Sequence, residues 1–200
     1  MVLASDVRAV PLVAQDLYAS GDGLVSRDAA RGIDWLDLTL TQGQSIDDVL
    51  QGAGGWISQG WRLATNSEVC GLAGEAMAPG VVACPTEFSS VSIFYDDRAV
   101  DIVNLFGITS HGDYEQISAS GLFDDGDLSD GESAAAAYSF LIGPVNGEQS
   151  GFNLAENLGP SIFMRSEAYG VFLVRPIPEP GTGLLVALGL SVLRRRPTKA

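Results

Sequence analysis

The chain has 200 residues and a mass of 20.9 kDa, 46% apolar and 18% charged, enough to bury one real core and unlike a disordered acidic tail. Acids outnumber bases 25 to 11, a net charge of −14, which is the wrong sign for a nucleic-acid binder. Lys199 is the only lysine and His111 the only histidine, so the body has no P-loop or Schiff-base lysine and little to offer zinc.

Residues 1–20 form an N-terminal segment. An export signal would need a basic start followed by an apolar run. Asp6, Arg8 and Pro11 interrupt Met1–Gln15, so either the true start codon lies upstream, with the signal peptide missing here, or export uses another route; the upstream start is the favoured expectation. The globular body is assigned to residues 21–175. Gly21–Asp28 reads as a turn and a short strand. Ala29–Gly32 is a second turn, with Gly32 suited to positive φ, and Ile33–Leu38 is the paired strand of a hairpin. Ser45 caps a short helix over Ile46–Leu50, with Asp47 and Asp48 in its first turn, and Gly52, Gly54 and Gly55 follow it. Trp61 and Leu63 alternate with Arg62 as a half-buried strand would. Thr65 and Glu68 have capping-box spacing and predict a helix from about Asn66 to Met77.

A third helix is capped by Asp96 or Asp97. It places Ala99, Ile102, Val103 and Phe106 on one face and ends at Gly107. Beyond Ile108 the pattern turns to strands, at Glu115–Phe123, Ala134–Ile142, Ser161–Arg165 and Tyr169–Arg175. Helices early and strands late predict one α+β domain: an antiparallel β-sheet with two or three short helices.

Residues 176–200 are different in kind. Pro176, Pro178 and Pro180 fix φ and remove backbone donors, so this stretch reads as an extended linker. Residues 181–193 then carry no charge and include Leu184, Leu185, Val186, Leu188, Leu190, Val192 and Leu193. As a helix they would span roughly 20 Å, short of a hydrocarbon core of about 30 Å. Arg194, Arg195 and Arg196 follow, and basic residues beside an apolar run favour the cytoplasmic side. The body would then lie across the membrane. Removing the four basic residues of the last seven positions leaves 7 bases against 25 acids in residues 1–180.

This order of Pro178-Glu179-Pro180, short apolar helix and terminal arginines resembles the PEP-CTERM sorting signal. The resemblance implies export by the general secretory route in a Gram-negative bacterium. A membrane-embedded exosortase would recognise the tail and cut near Pro178-Glu179-Pro180. The body would then reach the cell surface or the extracellular space, with exopolysaccharide as a further partner and no nucleic acid. A second, weaker resemblance rests on Asp22-Gly23-Leu24-Val25, Gly32-Ile33-Asp34-Trp35-Leu36-Asp37, Gly60-Trp61-Arg62-Leu63-Ala64-Thr65 with Glu68, and Val171–Arg175. It is similar to the Lcl-type domain of bacterial surface proteins, related to the C-type-lectin-like fold. Ala64 stands where that family has proline, and residues 78–150 show no match.

Candidate chemistry is sparse. Cys70 and Cys84, 14 positions apart, are the only cysteines, and in an exported chain an even pair favours a disulfide. Such a loop stabilises by about 3 kcal/mol on the chain-entropy reading. Ser110, His111 and Asp113 sit together as a polar turn, and adjacency is no sign of a triad. The acids between Asp124 and Glu132 miss the EF-hand order and read as solvated turns, so no metal and no cofactor is expected. Trp35, Trp56 and Trp61 offer either a sugar-stacking platform or core packing, and core packing is the commoner use. The reading is a non-enzymatic exported protein of the cell envelope or extracellular matrix, processed by exosortase. A lectin-like binding module is the alternative, and a secreted hydrolase the remaining class.

Overall fold

The computed structural model describes residues 12–76, 92–94, 97–111, 117–124, 135–143, 149–155 and 162–177. These residues build an α+β fold with antiparallel pairing and a few short helices. They make two sheets where the sequence pattern suggested one. The first contains β1 (Val13–Gln15), β2 (Val25–Asp28), β3 (Ile33–Leu36), β4 (Arg62–Leu63) and a late strand, β11 (Leu173–Pro176). Its order is β1-β2-β3-β11-β4, antiparallel throughout. The second holds β5 (Ser92–Phe94), β6 (Ser110–His111), β7 (Ile117–Asp124), β8 (Ala135–Gly143), β9 (Gln149–Ala155) and β10 (Gly170–Val171). Its order is β10-β7-β8-β9-β5, with β6 also on β7. β10 runs parallel to β7; the other pairs are antiparallel.

The expected hairpin forms, with Val25 facing Leu36 and Asp28 facing Ile33 across a turn whose Gly32 has φ +69°. α1 (Ile46–Leu50) carries a full capping box. Asp48 N donates to Ser45 Oγ at 3.1 Å, and Ser45 N donates to Asp48 Oδ2 at 3.0 Å. α2 (Asn66–Ala76) starts as its spacing predicts. Glu68 N donates to Thr65 Oγ1 at 3.3 Å and Thr65 N to Glu68 Oε2 at 2.9 Å. α3 (Asp97–Phe106) buries Ile102, Val103 and Phe106 and stops at Gly107, φ +78°.

Two strand expectations need correction. Residues 162–165 form a turn and irregular chain. Ile162 gives its carbonyl to Asp47 N at the start of α1, and Arg165 pairs with Asp48, so this segment's polar groups serve α1 instead of a ladder. Tyr169–Arg175 is not one strand, because the chain crosses between sheets at Phe172. Phe172 N donates to Leu122 O at 2.8 Å, and Phe172 O accepts from Ala64 N at 2.9 Å. β10 therefore belongs to one sheet and β11 to the other. Gly170 permits the crossing, since a Cβ there would collide with the Leu38 carbonyl.

The core follows from these layers. On one side of the first sheet, Trp35, Phe106 and Phe172 pack edge to face with centroids 5.7–6.1 Å apart, and Phe123 joins at 6.5 Å. Val69 and Leu72 of α2 complete that cluster. On the other side, Val25, Leu36, Leu63 and Leu173 meet Ile46 and Val49 of α1 together with Trp56 and Trp61. The first sheet is thus covered on both faces.

Candidate functional site

The sorting motif expected at Pro178, Glu179 and Pro180, the apolar positions Leu184, Leu185, Val186, Leu188, Leu190, Val192 and Leu193, and Arg194, Arg195 and Arg196 all lie outside the described residues. Among the described residues no helix is long and apolar enough to cross a membrane. What the structure describes is the point where the fold hands over to that segment. Pro176 is the last residue of β11 and faces Ile33. Ile177 N donates to Gly32 O at 2.9 Å. The paired backbone therefore reaches the residue immediately before Pro178.

A row of side chains crosses the sheet next to this exit. Arg27 on β2 faces Asp34 on β3, which faces Arg175 on β11. Asp34 is 1% exposed, and two guanidinium groups share it. Arg27 Nε donates to Asp34 Oδ1 at 2.8 Å and its Nη2 to Oδ2 at 3.2 Å, while Arg175 Nε and Nη2 reach Oδ2 at 3.4 Å. The hydrogen bond it donates to Asp34 is the main cause that pushes the Arg27 guanidinium above its ordinary value. Arg175 also sits 4.4 Å above the Trp61 ring. One buried carboxylate thus answers two cations and leaves one positive charge. On the opposite face of the same end, Arg31 Nη1 donates to Asp28 Oδ2 at 2.6 Å, and Asp28 is fully buried. Sequence reasoning missed the Arg27–Asp34–Arg175 row. Its only local signal is a charge at an inward-facing strand position.

The remaining candidates separate. Trp35, Trp56 and Trp61 are buried in the two core clusters, so the three do not make an exposed stacking platform. Ser110 and His111 form β6 on the edge of β7, with His111 exposed, while Asp113 is outside the described residues. Of the acids from Asp124 to Glu132, only Asp124 is described, at the end of β7. No group of three or more metal-ligating side chains occurs among the described residues. Cys70 is buried on α2 and is not a free thiol. Its expected partner, Cys84, lies outside the described residues.

Comparison with protein-family models, curated proteins and solved structures finds no match to this chain.

Proposed function

We propose that this chain is an exported, non-enzymatic protein of the cell envelope or extracellular matrix, and that residues 178–200 are a sorting signal read by exosortase. One observation carries the reading: Pro178-Glu179-Pro180, a charge-free run over 181–193 and Arg194–Arg196 stand in that order. In this reading the run inserts as a short helix, and the arginines hold its end on the cytoplasmic side. The motif begins one residue beyond Ile177, whose backbone is hydrogen-bonded to Gly32 at the edge of the fold. A cut beyond it would leave β11 whole.

A Cys70–Cys84 disulfide belongs to the same proposal, since an oxidising compartment favours it. The lectin-like alternative loses its tryptophan platform, because the three indoles are in the core. Binding on a glycan array would restore it.

The test is the intact mass of the exported protein from its native host, with both termini mapped. Loss of everything beyond the Pro178-Glu179-Pro180 region is the expected result. A C-terminus intact at Ala200 would overturn the sorting reading. Alkylation before digestion, read in the same sample, should find Cys70 and Cys84 blocked; free thiols would refute the disulfide.

A further inference from the structure

We propose that the end of the first sheet carrying the Ala29–Gly32 turn, Arg27 and Arg175 faces the bilayer, and that anionic phospholipid headgroups are its partner while the tail is inserted. The inference rests on the membrane reading of residues 181–193 given above.

Distance is the first argument. Ile177 is held to Gly32 by a backbone hydrogen bond. The apolar run begins at Gly181, four residues on. Four peptide steps reach at most about 14 Å in any conformation. That is comparable with a headgroup layer plus a Debye length of about 8–10 Å. The domain therefore has little slack to turn another face to the surface while Ile177 stays paired. The turn itself, Ala29 to Gly32, is exposed.

Charge is the second argument, and it is independent of the first. A chain of net charge −14 is repelled by an anionic surface unless it presents a favourable end. At this end Arg27 and Arg175 outnumber the one carboxylate they share, and their side chains are 37% and 32% exposed. The ion pairs at this end, Arg27–Asp34–Arg175 and Arg31–Asp28, hold three guanidinium groups against two carboxylates. Asp16 and Asp22 lie in the loop between β1 and β2, at the other end of those strands. The end beside Ile177 is thus the positive one. Arg175 is kept in place from below by Trp61 and from the side by Asp34. These contacts fix the positive end without ordering a flexible side chain on binding.

The full chain, reconstituted into vesicles of phosphatidylcholine alone or with phosphatidylglycerol, tests this. Phenylglyoxal modification is followed at each arginine by mass spectrometry. Arg165 serves as the internal reference, since it pairs with Asp48 and is 68% exposed. Modification of Arg27 and Arg175 should slow by about threefold in the anionic vesicles, the occupancy gained by one net positive charge at a typical anionic surface. A Gly/Ser insertion of about 12 residues between Ile177 and Pro178 adds roughly 20 Å of reach and should abolish the contrast. If the chain floats with both vesicle types but Arg27 and Arg175 react equally in each, the inference is overturned while the membrane reading stands. Protection that survives the insertion also overturns it, because the short reach from Ile177 to Gly181 would then not be what brings this end to the bilayer. A chain that floats with neither vesicle overturns the membrane reading and this inference together.

Discussion

Replacing Asp34 by asparagine should be the most damaging single change in the exit row. The side chain is nearly isosteric, so packing is kept and the charge alone is removed. Asp34 is 1% exposed and accepts from two guanidinium groups. The Arg27 contact is short and bidentate, at 2.8 and 3.2 Å; the Arg175 contacts are long, at 3.4 Å. A hydrogen bond to a charged group contributes about 1.5–3 kcal/mol. Breaking a fully buried pair would cost about 3–5 kcal/mol, because a buried charge is left alone. Here the groups left behind are about a third exposed and can recover water, which lowers the cost. The expected loss for Asp34→Asn is therefore about 2–3 kcal/mol. Arg175→Met leaves Asp34 paired with Arg27 and gives up mainly the long contacts and the Trp61 stacking. Its cost should be about 1 kcal/mol. Urea unfolding followed by tryptophan fluorescence measures both, since Trp35, Trp56 and Trp61 all lie in the core. Equal losses in the two variants, or a loss for Asp34→Asn under about 0.5 kcal/mol, would refute the view that Asp34 organises the row.

Two further predictions concern the helices. The Glu68 carboxyl is lowered to about 2, first by Arg62 and then by Thr65, from an ordinary 4.5. A depressed carboxyl stabilises above its unfolded value, so the contribution is present above about 4.5 and is lost as pH falls toward 2. Arg62 is half exposed, so the effect is about 1 kcal/mol, and Glu68→Gln should flatten that limb of the stability–pH curve. An unchanged slope would refute the assignment. Gly107 has φ +78°, and a Cβ there would lie 2.5 Å from Asp37 Oδ1. Gly107→Ala should therefore cost more than the roughly 1–2 kcal/mol of a left-handed residue alone, read from thermal unfolding.

How much of this was legible in the sequence depended on how local each interaction is. Ser45 with Asp48 and Thr65 with Glu68 are complete within four residues, and both helix starts fall where the spacing puts them. The β2–β3 hairpin is equally local. β1, β5 and β9 escaped notice, as Val13–Gln15 shows: three residues with no long alternation become a strand because β2 offers an edge. The crossing at Phe172 is invisible in a continuous apolar run, since only the partners at Ala64 and Leu122 reveal it. The exit row was hidden for the same reason, because Asp34 and Arg175 are 141 positions apart. The tail is the opposite case, a pattern of prolines, apolar residues and arginines written in consecutive positions and readable without any fold.

That division meets at β11. Its four residues lie between β3 and β4 in the first sheet, and β4 has no other partner among the described strands. Leu173 and Val174 are fully buried, one in each core cluster. Burying two such side chains contributes about 3–6 kcal/mol. Whole domains are stable by about 5–15 kcal/mol, so the sheet depends on residues that arrive last. A chain ending after Ile177 keeps every one of these contacts and should unfold at the same urea concentration as the full chain. A chain ending after Phe172 loses an interior strand of the sheet and detaches β4, and should not fold cooperatively. Circular dichroism and urea titration of the two truncations decide the matter. A stable, cooperative fold in the shorter one would mean that β11 is a peripheral addition. Unfolding of the longer one would mean that residues 178–200 are part of the domain's stability, and a tail so engaged could not be cut away without loss of the body.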